Sequence, residues 1–181
     1  MAGVLVKAVD AASAFGRLNI VVGRVLSVEV HPNADTMYIE KIDLGEPSGP
    51  RQIVSGLRSH ISIKEFTGKH VLVLSNIKKA KLRGVESFAM IFCAKHEDIV
   101  EVLTVDDELV PLGDRLVVGA FSGPADLELN PKHKVWDLVN ASNAFKVGSD
   151  GIVQFMGHPL LTTTGQLAVR ARRAPPGSSI Q

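Results

Sequence analysis

The sequence is poor in the residues that build covalent and metal frameworks. It holds one cysteine, Cys93, so neither an internal disulfide framework nor a cysteine-based zinc site is open to it. Aromatics are scarce, at 5% of 181 residues: seven Phe, one Trp and one Tyr. The core must therefore be filled mainly by Val, Leu, Ile and Ala. No stretch approaches the ~18 apolar residues of a membrane span. Met1 to Asp10 lacks the apolar run of a secretory signal. These absences lead us to expect a soluble, cytoplasmic protein with no membrane partner. An excess of either charge is also missing, since 20 Lys and Arg stand against 19 Asp and Glu, for a net +1.

Signatures of catalysis are missing as well. The six histidines (His31, His60, His70, His96, His133 and His158) form no HxH or HExxH pair. There is no nucleophile elbow, P-loop or dinucleotide-binding glycine pattern. Cys93, beside Ile91 and Phe92, reads as a small core residue. Asp106, Asp107 and Glu108 read as a solvated loop. Trp136, amid Val135, Leu138 and Val139, reads as packing in preference to base stacking. We therefore expect a binding module, not an enzyme, with no cofactor and no metal.

What is present is β-rich. A long strand starts near Leu18, with a bend expected at Gly23. The turn His31-Pro32-Asn33-Ala34-Asp35 separates it from a second strand, Met37 to Leu44. A loop over 45–50 leads to a third strand, Arg51 to Ser55. Ser62 suits the N-cap of a short helix through Phe66, closed by Gly68. Val71 to Leu74 and Ala89 to Ala94 read as buried strands joined by a polar loop, Ser75 to Ser87. Val100 to Val105 and Leu116 to Val118 add further strands. Three strands, a helical plug and two more strands is the order of a five-stranded OB-fold barrel. Asn130 and Pro131 start a helix through Val139, and short strands follow over Ile152 to Val169. We thus expect a mainly β fold: a flexible lead-in at 1–15, an OB-fold domain at 16–119, an α+β extension at 120–175 and a loose tail at 176–181.

The near-zero net charge hides segregation. From Gly68 to Val85 there are five basic residues and no acid, and four of the five, Lys78, Lys79, Lys81 and Arg83, fall within six positions. From Glu97 to Glu128 there are nine acids and one base. A basic loop held on a rigid barrel creates a local positive potential that attracts phosphates whatever the total charge.

Two segments carry a family resemblance: His31 to Asp35 leading to Val54-Ser55-Gly56, and Asn76-Ile77-Lys78-Lys79-Ala80-Lys81-Leu82-Arg83-Gly84-Val85-Glu86-Ser87-Phe88-Ala89-Met90. Together they resemble the tRNA-binding domain of the endothelial monocyte-activating polypeptide II-like family, found in eukaryotic synthetase-complex cofactors and at the C-terminus of some methionyl- and tyrosyl-tRNA synthetases. Leu129-Asn130-Pro131-Lys132-His133-Lys134-Val135-Trp136 resembles the extra domain of the eukaryotic branch. The resemblance implies a barrel that binds the tRNA elbow by shape and charge and supplies tRNA to an aminoacyl-tRNA synthetase or multisynthetase complex. It also implies an extension that packs on the barrel as a pseudo-dimer partner, leaving a monomer. Asn76, Lys78, Lys81 and Arg83 are the implied contacts to phosphate and sugar, and Lys79 adds charge where many relatives have Pro. Ser87 and Met90 match the pattern near the same site, with Met90 equally readable as core. Arg24 and Ser55 are weaker additions. A protein-interaction scaffold and a cytokine-like secreted factor are the alternatives, and Val21 replaces the leading Arg of the relatives' cytokine stretch.

Overall fold

The structure, a computed structural model, describes residues 11–121 and 123–181. It is mainly β, with few and short helices. Residues 11–17 are helical (α1) and bury Ala11, Ala14 and Phe15. The first ten residues of the expected lead-in lie outside the described residues. No described helix is long and apolar enough to cross a membrane.

The first sheet grows around β1 (Ile20–Val30), which pairs antiparallel with β2 (Tyr38–Asp43), itself paired with β3 (Arg51–Ser55). The four-residue helix α2 (Ile63–Phe66) follows, its Ser62 side chain accepting from the Glu65 N–H. Phe66 is fully buried. β4 (His70–Leu74) then returns to the other edge of β1. Alternation in β2 explains how it sits: Tyr38, Glu40 and Ile42 are buried, while Lys41 faces out. The register shift falls between Val25 and Ser27, and Gly23 is a packing position. A Cβ at Gly23 would stand 2.6 Å from Leu44 and 2.8 Å from Ile42, inside any tolerable contact.

A hairpin of β5 (Ala80–Leu82) and β6 (Val85–Ser87) follows. The single strand expected over Ala89 to Ala94 is in fact two. β7 (Met90–Ile91) pairs with β4, whereas β8 (Cys93–His96) leaves for a second sheet beside β9 (Ile99–Val102). The switch occurs at the buried Phe92, whose N–H donates to Leu72, while the next N–H, of Cys93, donates to Gln181. β10 (Arg115–Val117) rejoins the first sheet against β1.

The helix expected from Asn130 is also two pieces. Asn130 caps a 3₁₀ turn, Pro131–His133, its side chain accepting from Lys132 N–H. Lys134 then adopts a left-handed conformation (φ 49°), which ends that turn before α3 (Val135–Ala141) begins. β11 (Phe145–Val147), β12 (Val153–Phe155) and β13 (His158–Pro159) extend the second sheet, and β14 (Leu161–Thr162) pairs back onto β10.

The tail is not loose. β15 (Ser179–Ile180) lies between β11 and β8, and Ile180 is buried. The approach to β15 is held by Glu101, whose carboxylate accepts the backbone N–H groups of Arg172, Arg173 and Ala174 at 2.7, 2.6 and 2.8 Å. Both sheets therefore draw strands from either side of residue 119. Two cores result. One is centred on the first sheet around Ile42, Ile53, Phe66 and Val73, and takes in Cys93 and Val102 from the second. The other joins the sheets and collects Phe15, Phe92, Phe145 and Phe155, with Phe15 stacked on Phe155 at 4.2 Å. The scarce aromatics are concentrated there.

Candidate nucleic-acid interface

The segment expected to be a polar loop is mostly the β5–β6 hairpin. Arg83 and Gly84 form its turn, with φ of 50° and 87°. Positive φ at both central positions marks the two-residue type I′ turn, whose twist suits a hairpin. Nothing lies within 4 Å of a Cβ at Gly84, so backbone conformation alone requires glycine there. The usual Asn-Gly signal is absent, which is why the sequence does not announce the hairpin.

Three anchors fix the hairpin to the first sheet. Ser87 Oγ accepts from Val54 N–H at 2.9 Å and donates to Ala89 O at 3.1 Å, standing in for a ladder partner of β3. Gln52 receives Phe88 N–H on its carbonyl and donates its side-chain amide to Glu86 O, both at 2.9 Å. The buried His31 donates from Nε2 to Leu82 O at 3.0 Å and accepts Asn33 N–H on Nδ1. The His31 turn and the Asn76 to Met90 segment, read separately in the sequence, are thus in contact.

With the base fixed, the basic side chains cluster on one exposed segment. Lys79, Lys81 and Arg83 recur at every second residue and are exposed, and Lys78 is exposed beside them. Glu86 stands 3.5 Å from Lys79 Nζ, and Glu128 lines the same surface as Lys78 and Lys79. An ion pair so exposed contributes little, and the local field stays positive. Lys79 also lies 5.9 Å from the centre of the Phe88 ring.

Other expected contacts are turned inward. Asn76 is buried: its Oδ1 accepts from Asn19 N–H at 3.0 Å, and its Nδ2 donates to Arg17 O at 2.9 Å and Asp126 O at 3.0 Å. It has no hydrogen-bonding capacity to offer a phosphate. Ser87 is likewise spent on the protein. Met90, half-buried, packs against the core that joins the sheets, which is the core alternative. Ser55 donates to Glu40 Oε1. Arg24 is exposed, but its register partners are Asp43 and His70. His70 lies four residues, ~13 Å, from the Leu74 end of β4 that leads into the site. The structure does not bring Arg24 to the hairpin.

Residues the sequence did not single out complete the surface. A cleft of about 710 Å³ beside the hairpin is lined by Lys41, Gln52, Lys78, Lys79 and Phe88. Lys41 and Gln52 are register partners across β2 and β3, and Lys41 Nζ donates to Gln52 Oε1 at 3.2 Å. Period-two alternation in these strands was the available signal. Arg51 sits on the cleft wall but is committed to Glu46, at 2.6 and 2.7 Å, and to the carbonyls of Ser75 and Phe88.

Two perturbed groups lie beneath this surface. Burial pushes the Glu40 carboxyl up to about 8, against the opposing hydrogen bond from Ser55. Glu40 Oε2 has no partner. Burial, with Glu40 adding a like-signed charge, pushes the Cys93 thiol up to about 12 and leaves it without thiolate character. No cluster of metal-ligating side chains occurs among the described residues.

A family model described as a putative tRNA binding domain matches residues 20–115. The chain belongs to this tRNA-binding family. It is 43% identical over 146 residues to a cytoplasmic methionine–tRNA ligase of Caenorhabditis elegans, covering 81% of this chain and 16% of the ligase. It is 38% identical over 143 residues to aminoacyl tRNA synthase complex-interacting multifunctional protein 1 of Cricetulus griseus, covering 79% of this chain and 39% of that protein. The chain therefore spans well under half the length of these relatives. Among solved structures, the C-terminal domain of Plasmodium vivax p43 superposes with a TM-score of 0.79 at 29% identity, covering 92% of this chain and 98% of that one. The residues matched by the family model contain the whole hairpin and its three anchors.

Proposed function

We propose that this chain is a non-catalytic tRNA-binding module that grips the outer corner of tRNA through its backbone and shape, and delivers it to an aminoacyl-tRNA synthetase or multisynthetase complex. The observation that carries the reading is the anchored hairpin and the segment leading into it, on which Lys78, Lys79, Lys81 and Arg83 are all exposed. Such a surface neutralises phosphates and carries little sequence readout. The relatives support the choice of tRNA, since both are named for synthetases or a synthetase complex. The word cytoplasmic in the ligase's name supports work in the cytoplasm.

We read the pairing order β3-β2-β1-β4-β7, closed by Phe88 N–H on Gln52 O, as the five strands of an OB barrel spanning about 16–119. The extension over about 120–175 covers an apolar face of that barrel and takes the place of a second subunit, leaving a monomer. In this reading the basic side chains touch RNA, while Asn76, Ser87 and His31 hold the loop in place. Replacing Lys78, Lys81 and Arg83 together by Ala is expected to weaken binding of mixed tRNA about tenfold or more with no change in thermal melting. Wild-type affinity in that triple variant would overturn the site.

A further inference from the structure

Lys78 and Lys79 form a ridge with a cleft on each side. One is the cleft containing Phe88. The other, of about 340 Å³, lies between residues 77–80 and residues 129–137. We propose that this second cleft receives an unstacked nucleobase of the bound RNA, laid against Trp136, with its flanking phosphates on Lys78, Lys79 and Lys134. The proposal rests on the tRNA-binding reading and adds a base-contacting subsite outside the basic hairpin.

The cleft is built, not incidental. Leu129 N–H donates to Asn76 O at 2.7 Å, so the segment leading to its far wall is pinned to the start of the basic loop. The capped turn Pro131–His133 and α3 meet at Lys134, whose left-handed backbone sets the angle between them. That conformation suits Gly or Asn, and a lysine is held there at some conformational cost. Its ammonium thereby joins the rim beside Lys78 and Lys79, opposite a single carboxylate, Asp137.

The floor is apolar, formed by Ile77, Leu129, Val135 and Trp136. Trp136 is only half-buried. Phe92 and Phe145 hold it edge-on at 5.4 and 6.5 Å, so the ring is rigid. Its indole N–H makes no hydrogen bond among the described residues and is not sealed from solvent. A rigid aromatic with a spare donor, ringed by cations, matches a planar base between phosphates. The volume lies near the lower end of small-ligand pockets, ~300–1,000 Å³, which suits one nucleotide and is too small for a docked helix. An RNA strand crossing the shared lysine ridge would bring its bases to this cleft. At 5% aromatics the chain offers few stacking partners, and a single stacked base fits that scarcity.

Trp136 is the only tryptophan, so its fluorescence reports on this cleft alone. The experiment titrates the full chain with mixed tRNA and with a fully paired RNA duplex, following binding by anisotropy of labelled RNA and tryptophan emission together. Expected are quenching by tRNA, binding of duplex without quenching, and about tenfold weaker tRNA binding in Trp136→Leu with an unchanged salt slope. Trp136→Phe should recover most of that affinity, which separates stacking from a packing defect. Lys134→Ala should weaken binding and reduce the salt slope by about one. If tRNA binds with unchanged emission and Trp136→Leu binds as wild type, this proposal fails while the tRNA-binding reading stands. Failure to bind tRNA at all would remove both. Quenching by an acidic peptide and not by tRNA would assign the cleft to a protein ligand and overturn the proposal.

Discussion

Glu40 is turned into the core of the first sheet, with one oxygen bonded to Ser55 and the other without a partner. Burial raises its pKa from 4.5 to about 8, and this fixes the sign of a pH effect. Below pH 4.5 both folded and unfolded chains hold the proton. Between 4.5 and about 8 the unfolded chain releases it and the folded chain keeps it, so stability falls as pH rises, by at most about 1.4 kcal/mol per pH unit. Above about 8 the loss levels off. Glu40→Gln mimics the neutral acid and should melt higher than wild type at pH 8.5 while matching it near pH 5. Equal decline in both would remove the assignment. Asn76 makes a contrasting case. Asn76→Ala strands buried partners and should cost about 1–3 kcal/mol on chemical denaturation. A Lys78→Ala change should leave the denaturation midpoint alone and lower tRNA affinity. The sequence marked Asn76 as part of a motif, but the partners that turn it inward lie 57, 59 and 50 residues away, beyond the reach of local pattern. The exposed lysines were legible because their clustering is local in the sequence and no buried partner turns them inward.

Elements with strong local signals formed where expected. β3 and the Ser62-capped helix match because alternation, caps and turn residues all lie within a few positions. The failures are short strands whose existence depends on distant neighbours. β15 has two residues, too few to show a period, and it follows Pro175-Pro176-Gly177, which reads as a break. It exists because Glu101 captures three successive N–H groups upstream and because β8 and β11 leave a slot between them. Ile180 fills that slot. Ile180→Ala should destabilise by about 2–5 kcal/mol on urea denaturation, whereas the exposed Gln181→Ala should be nearly silent. A silent Ile180→Ala would mean that β15 does not support the second sheet. The break at Lys134 was hidden for another reason, since lysine is not a residue type that favours the left-handed conformation it adopts there.

For the whole molecule, the charge balance has a structural explanation. Several acids of the Glu97 to Glu128 stretch are used internally: Asp126 pairs with Arg17 at 2.8 Å, Asp106 with Arg172 at 2.5 Å, and Asp114 accepts from Thr164. Asp126, Asp114 and Glu101 tie down Arg17, the extension and the 172–174 segment, whereas the Asp106–Arg172 pair is as exposed as Lys79–Glu86 and contributes little. These acids lie away from the basic hairpin. Its positive field therefore survives a net charge of +1. With about four to six phosphate contacts, tRNA affinity should fall with salt along a log–log slope of roughly −3 to −5, measured between two salt concentrations. A flat response would exclude backbone contacts as the main source of affinity. The placement of β15 has one more consequence. Strand β8 has β9 on one edge and β15 on the other. A chain cut near residue 119 would leave that second edge bare, and a bare edge is a template for another chain. The last residues thus act as an internal plug: they occupy an edge of β8 that a neighbour's strand could otherwise claim, and leave β9 and β13 as the outer strands of the sheet.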